Sequence, residues 1–170
     1  MRKVQKYKEF SEGQSADYQP AGAQRAHHEA VAHVPSAEYP ADAIVASGST
    51  VAYAPQTSNL HHEVELVVAL KSGGSDIAPE HALSHVFGYA VGNDLTRRDL
   101  QHQLREKGLP WDMSKAFDAA AQISAIQPAE RFGAVGEQVI WLEVNGQKRQ
   151  HSQLSQMIWS VPEIIAILST

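Results

Sequence analysis

The sequence of 170 residues contains no cysteine. This absence excludes disulfide bonds, thiolate zinc sites and a cysteine nucleophile. Long apolar runs are also missing, so no segment has the length of a membrane span, and the residues after Met1 are too polar for a secretion signal. The formal net charge of -5 favours neither nucleic acid nor an anionic membrane as a partner. We therefore expect a soluble, cytoplasmic protein.

The composition that is present is typical of a globular protein. Apolar residues make up 43% of the chain and charged residues 19%. This length suits one domain with its own hydrophobic core. Residues 1–40 show no sustained period of 2 or 3.6, so we predict a poorly determined N-terminal segment there and a patterned core over residues 41–170.

The strongest strand pattern covers His61–Leu70, where side chains alternate between an apolar face and a face that carries Glu63 and Glu65. An Asn145-Gly146 turn signal lies between two further strand patterns and predicts a hairpin. The other predicted strands are Ala43–Val45, Thr50–Tyr53, Val86–Val91, Val139–Val144 and Lys148–His151, and the predicted helices are Glu80–His85, Leu95–Lys107 and a closing helix that Ser160 caps and that runs to Leu168.

The Glu63 and Glu65 carboxylates should leave one strand face a few ångströms apart. Two negative charges at this distance raise the pKa of one carboxylate unless a cation neutralises the pair. A site that offers only oxygen ligands favours magnesium, calcium or manganese. His61 could join them, whereas His62 points to the opposite face. The alternative is an ordinary solvated strand face, which is the more common origin of an isolated Glu-x-Glu motif.

Asp94 is predicted to cap the helix Leu95–Lys107. In that geometry Arg98 and Gln101 follow at +4 and +7 on one stripe, where they could offer an anion-binding fork and an orienting hydrogen bond. A solvent-exposed helix with ion pairs is the alternative. Lys115 lies among aromatic and apolar neighbours after a proline turn, so it could meet an anionic substrate or be a surface lysine.

Two other chemistries have weaker support. A patch of His27, His28, Glu29 and His33 could bind a metal or supply a catalytic pair, but it falls in the unpatterned segment. No serine lies in a Gly-x-Ser-x-Gly elbow, so the sequence does not support a serine hydrolase.

Several segments together resemble the fumarylacetoacetate hydrolase superfamily. They are Leu60–Val68, Gly88–Asp94, Thr96–Gln101, Trp111 and Lys115–Asp118. Within this superfamily, Thr96–Gln101, Gly108–Trp111 and Lys115–Asp118 are most similar to the fumarylpyruvate hydrolase group. The resemblance covers about residues 40–170.

The resemblance implies an α+β fold, a strand-rich mixed β-roll with a few short helices, usually assembled as a homodimer. It also implies a Mg²⁺ or Mn²⁺ cofactor and hydrolysis of a carbon–carbon bond in an acylpyruvate such as fumarylpyruvate, which gives pyruvate and a carboxylic acid. The implied residue roles are metal ligation by Glu63, Glu65 and Asp94, catalysis by Lys115, and substrate binding by Arg98 and Gln101.

The sequence also departs from this family in several places. No counterpart of the family's N-terminal His-x-x-Glu lid is legible in residues 1–40, and the pocket-lining loop expected after the closing helix is absent beyond Thr170. Ser114 and Gln122 stand where the family has glycine and proline. Two alternatives therefore stay open, a 2-oxo acid decarboxylase or tautomerase, and a shortened, non-catalytic homologue that binds metal or dimerises. We expect metal binding to be better retained than catalysis.

Overall fold

The computed structural model describes residues 39–170. The strands among these residues are β1 (Ile44–Ala46), β2 (Leu60–His61), β3 (Val64–Leu70), β4 (Val86–Asp94), β5 (Thr96–Arg97), β6 (Ala121–Ile123), β7 (Gln127–Pro128), β8 (Val139–Val144) and β9 (Gln147–Gln153). The helices are α1 (Pro79–Ala82), α2 (Arg98–Glu106), α3 (Asp112–Lys115), α4 (Ala129–Phe132) and α5 (Val161–Leu168). Short 3-10 turns occupy Ala41–Ala43, Leu83–His85 and Leu154–Gln156.

The main sheet has five strands in the order β1-β6-β4-β3, and β7 pairs with β4 beyond this path. β1 and β6 are parallel, whereas the other pairings are antiparallel. Two small antiparallel ladders, β2–β5 and β8–β9, lie beside this sheet. The predicted strand-rich, mixed α+β architecture with short helices is therefore confirmed.

The apolar face of β3 packs on the main hydrophobic core. Val64, Leu66 and Val68 are partly buried against it, as their alternation predicted. The buried residues of this core come mainly from α1, β4, β8 and α5, and they include Ala82, Val86, Tyr89, Phe132, Ile140, Leu154, Val161 and Ile165. Glu65 points to the opposite side of β3, so the core supports the strand from behind.

The predicted strand His61–Leu70 is wrong at its N-terminal end. The chain leaves β2 at His61 and enters β3 only at Val64, so it changes from one sheet to another at His62 and Glu63. Its partners differ accordingly, because β2 pairs with β5 while β3 pairs with β4. The carbonyl of Glu63 still accepts a hydrogen bond from the backbone N–H of Asp94 at 2.9 Å.

The predicted helix Leu95–Lys107 with Asp94 at its cap is also wrong at its start. Asp94 ends β4, and α2 begins at Arg98. The helix does not begin earlier because Thr96 and Arg97 are extended and pair with β2 as β5, while the backbone N–H of Leu95 donates to Ala120 O at 2.9 Å. Its end agrees with the sequence, since Gly108 adopts φ +63 just beyond the last turn, as a C-terminal glycine commonly does.

Several local signals are confirmed. Asn145 (φ 54) and Gly146 (φ 76) form the left-handed turn between β8 and β9. Ser160 and Glu163 form the predicted capping box at the start of α5. The predicted strand Thr50–Tyr53 is wrong, because within the described residues it forms no ladder; instead the Tyr53 hydroxyl accepts a hydrogen bond from Leu60 N at 3.1 Å.

Among residues 39–170, no helix is both long enough and apolar enough to cross a membrane. The prediction of a poorly determined segment over residues 1–40 falls almost wholly outside the described residues, and so does the histidine patch around His27.

Candidate metal centre

Three carboxylates converge where β3 meets the end of β4. Glu63 precedes β3, Glu65 lies within it, and Asp94 is the last residue of β4. One oxygen from each carboxylate lies within 4.8 Å of the other two. Gly92 pairs with Glu65 across the ladder, and a Cβ at Gly92 would approach Val67 Cγ2 to 2.9 Å. The bare glycine therefore leaves room for the Val67 side chain beside the acidic cluster.

Two cationic side chains contact this cluster. The Lys115 ammonium donates to Glu63 Oε2 at 2.6 Å and also to Asp94 Oδ2. The Arg98 guanidinium donates to Glu63 Oε1 through Nη2 and to Gln101 Oε1 through Nη1. All six residues that the sequence singled out are thus brought together. Three carboxylates and two cations leave one net negative charge, which a further cation can neutralise.

Burial separates the protonation behaviour of the three acids. It raises the pKa of Glu65 to about 7, and the charge of Asp94 adds to this effect. Glu65 is exposed as a residue, but protein atoms crowd its carboxylate. Burial also raises the pKa of Asp94, since it outweighs the opposing hydrogen bond from Lys115. A bound cation would stabilise the ionised form of both groups.

Glu63 behaves differently because it has two cationic partners. Burial acts to raise its pKa, but the hydrogen bonds from Lys115 and Arg98 together outweigh burial, and the pKa lies below its ordinary value. The pKa of Lys115 is raised despite burial, because Asp94 and Glu63 accept its hydrogen bonds. The ammonium therefore stays charged inside the site.

The donor set fits a hard divalent cation. All three groups offer carboxylate oxygens, the ligands that magnesium and manganese prefer. Asp94 Oδ1 is buried and finds no hydrogen-bond partner among the described residues, so an oxygen is available for a ligand bond. His61 stays outside the cluster, with its ring nitrogens 3.0 Å from Asn59 Oδ1 and 3.4 Å from Arg98 Nε.

The expected stripe beneath a helix cap does not form. Arg98 is the first residue of α2 and reaches Gln101 one turn later, while its other nitrogen turns to Glu63 rather than to Asp94. Arg98 thereby links the helix to the chain crossing between β2 and β3. The predicted proximity of Arg98 and Gln101 is confirmed, but their geometry relative to Asp94 is not.

Several nearby residues carry no signal in the local sequence. The buried Arg97 guanidinium stacks 4.4 Å from the centre of the Phe117 ring and donates to Met113 O at 3.1 Å, which ties β5 to the helix that carries Lys115. Burial, followed by hydrogen bonding with Asp94, raises the pKa of Tyr39 and keeps its phenol protonated. Ser114 is fully buried, and its hydroxyl donates to Trp111 O at 2.6 Å.

An open pocket of about 730 Å³ adjoins the carboxylates. Besides residues from the β2–β3 crossing, it is lined by Arg98 and by Arg149 and Gln150 of β9. Gln150 Oε1 accepts a hydrogen bond from Val64 N at 2.9 Å, so the hairpin is fastened to the start of β3. The sequence predicted this hairpin but not its position beside the site.

Comparison with known proteins finds a matching family model and similar enzymes. A family model described as fumarylacetoacetate (FAA) hydrolase C-terminal matches residues 14–170. The chain is 49% identical to the fumarylpyruvate hydrolase of Ralstonia sp over 128 residues, which cover 75% of this chain and 66% of that protein. It is 39% identical over 130 residues to the mitochondrial oxaloacetate tautomerase FAHD1 of Bos taurus, covering 76% of this chain and 59% of the relative.

A solved structure matches over the same part of the chain. It is the crystal structure of fumarylpyruvate hydrolase from Pseudomonas aeruginosa in complex with Mn²⁺ and pyruvate, with a TM-score of 0.72 and 50% identity. The match covers 77% of this chain and 58% of that one. The matched region thus spans less than two thirds of the length of each of these relatives. On its sequence, its fold and the family match over residues 14–170, the chain belongs to the fumarylacetoacetate hydrolase family.

Proposed function

We propose that the chain binds Mg²⁺ or Mn²⁺ through Glu63, Glu65 and Asp94 and hydrolyses a carbon–carbon bond in an acylpyruvate such as fumarylpyruvate. The products are pyruvate and a carboxylic acid. The observation that carries this proposal is the convergence of three carboxylates, with the Lys115 ammonium in contact with two of them. The Mn²⁺ and pyruvate named for the Pseudomonas relative support it.

When bound, a divalent cation supplies Lewis-acid stabilisation to the oxygens of a 2-oxo acid. The protein contributes the surrounding charges. Lys115 has a side chain that is 10% exposed, so water screens its ammonium only weakly. Because it is fixed by Glu63 and Asp94, it can stabilise negative charge on a substrate oxygen without reorganising, which is the most effective form of electrostatic catalysis.

Arg98 is placed to hold the carboxylate end of such a substrate. Its guanidinium lies at the pocket edge with a side chain that is 22% exposed, and Gln101 fixes one of its nitrogens. Nη1 and Nη2 each carry a second N–H besides the ones donated to Gln101 and Glu63, and these can donate to a substrate carboxylate and set its orientation. Arg98 and Gln101 therefore serve as an orienting pair, while Lys115 acts on the reacting oxygens.

A second candidate is tautomerisation or decarboxylation of a 2-oxo acid. It is favoured by the 39% identity to the bovine oxaloacetate tautomerase, which matches over the region that contains all six site residues. The same charges at Lys115 and Arg98 would stabilise an enolate in either reaction. The reactions differ in what is released, so product analysis separates them. A homodimer, which the family resemblance implies, stays a prediction.

The test is turnover by the purified protein with Mn²⁺. Pyruvate released from fumarylpyruvate is followed with lactate dehydrogenase, and loss of enol or release of carbon dioxide from oxaloacetate is followed in parallel. Lys115→Met should lower pyruvate formation by roughly 10²–10³-fold, the range for loss of a preorganised electrostatic group. Lys107→Met, which removes an exposed charge beyond the end of α2, is the matched control. Turnover of oxaloacetate, seen as loss of enol or release of carbon dioxide, without release of pyruvate from fumarylpyruvate would favour the second candidate.

A further inference from the structure

The part of the pocket wall that β9 contributes contains an irregularity in this strand. The ladder pairs Leu142 with Gln150 but Glu143 with Lys148, so Arg149 is the extra residue of a β-bulge. In a regular strand, residues 149 and 150 would point to opposite faces. A bulge re-aims one side chain, and here both Arg149 and Gln150 line the pocket. The bulge therefore brings the Arg149 guanidinium to the pocket, where regular strand pairing would place only Gln150.

The position of this guanidinium is fixed relative to the carboxylate cluster. The hydrogen bond from Val64 N to Gln150 Oε1 joins the bulged strand to β3 next to Glu65. Arg149 itself donates from Nη2 to Gln147 Oε1 at 2.8 Å, which holds its side chain along the strand. Arg149 thus lies on a defined wall of the same pocket as Glu63 and Glu65.

Arg149 has no acidic partner among residues 39–170. The ion pairs in this part of the chain join Arg98 and Lys115 to the carboxylate cluster. Arg149 donates one hydrogen bond to a neutral amide, so its positive charge is not neutralised and its other N–H groups can bind an anion. A pocket lined by both metal-ligand carboxylates and a guanidinium without an acidic partner suits a ligand with two anionic groups.

We propose that Arg149 binds the distal carboxylate of a dicarboxylic acylpyruvate and selects substrates with a negative charge at the acyl end. The inference rests on the proposed function, since it assumes that the 2-oxo acid end of the ligand lies at the metal centre. The competing interpretation is that Arg149 is a solvent-facing charge. In that case its removal changes the affinity for monocarboxylic and dicarboxylic 2-oxo acids by the same factor.

A matched pair of ligands separates the two interpretations. 2-Oxoheptanedioate has the chain length of fumarylpyruvate but no 1,3-dioxo group to cleave, and 2-oxoheptanoate differs from it only in lacking the distal carboxylate. Titration calorimetry with the Mn²⁺-loaded protein measures both affinities. We expect the wild type to prefer the dicarboxylate by about tenfold, the size of one good charge-assisted interaction.

Arg149→Gln should bring this preference close to one, and Arg149→Lys should keep part of it, because lysine retains the charge but not the fork. Lys148→Gln removes the same charge from the neighbouring residue, which does not line the pocket, and should leave the preference unchanged. Melting temperatures should agree across the variants, since both residues are exposed.

An unchanged preference in Arg149→Gln, or no preference in the wild type, would overturn the inference. Pyruvate formation from fumarylpyruvate, measured on the same preparations, tests the proposed function separately. Turnover with an unaltered preference leaves the hydrolase proposal intact and refutes the role of Arg149. A lost preference without any turnover by the wild type supports the role of Arg149 and contradicts hydrolysis.

Discussion

The two walls of the candidate metal centre differ in how deeply they are buried. The inner wall, formed by Asp94 and Lys115, has side chains that are 8% and 10% exposed and lies where β4 ends against α3. The outer wall, formed by Glu65, Arg98 and Arg149, faces the open pocket. Charges on the inner wall are weakly screened and hold each other in place, whereas water screens Arg98 and Arg149 on the outer wall more strongly.

This difference suggests a division of labour. Removing one partner of a buried ion pair leaves an uncompensated charge, so a change on the inner wall should affect both metal binding and folding. A change on the outer wall should alter ligand selection with little effect on folding, because an exposed side chain can be hydrated in place of its lost partner.

The largest effect is expected on the inner wall. Asp94→Asn keeps the shape of the side chain but removes a buried negative ligand. Mn²⁺ affinity should therefore fall by more than about 100-fold, a larger loss than mutation of a residue that only hydrogen-bonds to a metal ligand usually causes. Titration calorimetry with Mn²⁺ and with Mg²⁺ provides the measurement. Glu106→Gln, an exposed change at the end of α2, is the control for net charge.

Glu65→Gln is the outer-wall counterpart of Asp94→Asn, so the two substitutions compare the walls directly. It removes a carboxylate whose pKa of about 7 leaves it only partly ionised near neutral pH, so the affinity for Mn²⁺ should fall steeply but by less than in Asp94→Asn. The melting temperature of the metal-free protein should change less than in Asp94→Asn, because Glu65 makes no contact with Lys115 comparable to that of Asp94. Unchanged Mn²⁺ affinity in Glu65→Gln would show that Glu65 is not a metal ligand. Equal losses of affinity and melting temperature in Glu65→Gln and Asp94→Asn would show that the two walls do not differ.

A smaller effect is expected at Arg98. Lysine cannot reach Glu63 and Gln101 together, so Arg98→Lys should weaken oxalate binding to the Mn²⁺-loaded protein by about tenfold, the cost of one charge-assisted interaction. Its melting temperature should stay close to that of the wild type. Arg105→Lys, an exposed substitution on the same helix, is the control. Wild-type affinity for oxalate would contradict the orienting role of Arg98.

The smallest effect is expected outside both walls, at Asp99 in the first turn of α2. The Asp99 carboxylate accepts hydrogen bonds from Thr57 Oγ1 at 2.5 Å and Ser58 N at 2.9 Å, which lower its pKa to about 2. A lowered pKa means that the ionised group stabilises the fold above its ordinary pKa of about 4, and that this contribution is lost as the pH falls towards 2.

Asp99→Asn should therefore lower the melting temperature slightly at pH 7, and the difference from the wild type should vanish near pH 2. Thermal unfolding at a series of pH values, with Glu106→Gln as control, measures this difference. A difference that is constant over the whole range would show that the hydrogen bonds at Thr57 and Ser58 do not depend on the charge of Asp99.

Local sequence patterns were sufficient for much of the framework. The alternation over β3, the glycine after α2, the Asn145-Gly146 turn and the Ser160 capping box all predicted the observed structure. These signals depend on residues close together in the chain, because burial periodicity, turn conformation and capping are local properties. The six site residues were found through the family resemblance, and the structure brings them together.

The sequence by itself determined the strand-rich α+β class, the outward-facing Glu65 of β3 and the set of carboxylates that predicts a hard cation site. Tertiary structure alone decided the break between β2 and β3, the start of α2 at Arg98 and the place of Arg149 beside the carboxylates. Each of these depends on hydrogen bonds between distant segments, such as those from Leu95 N to Ala120 O and from Val64 N to Gln150 Oε1. A local pattern records which side chains are buried, but it does not record which strand will satisfy a given N–H.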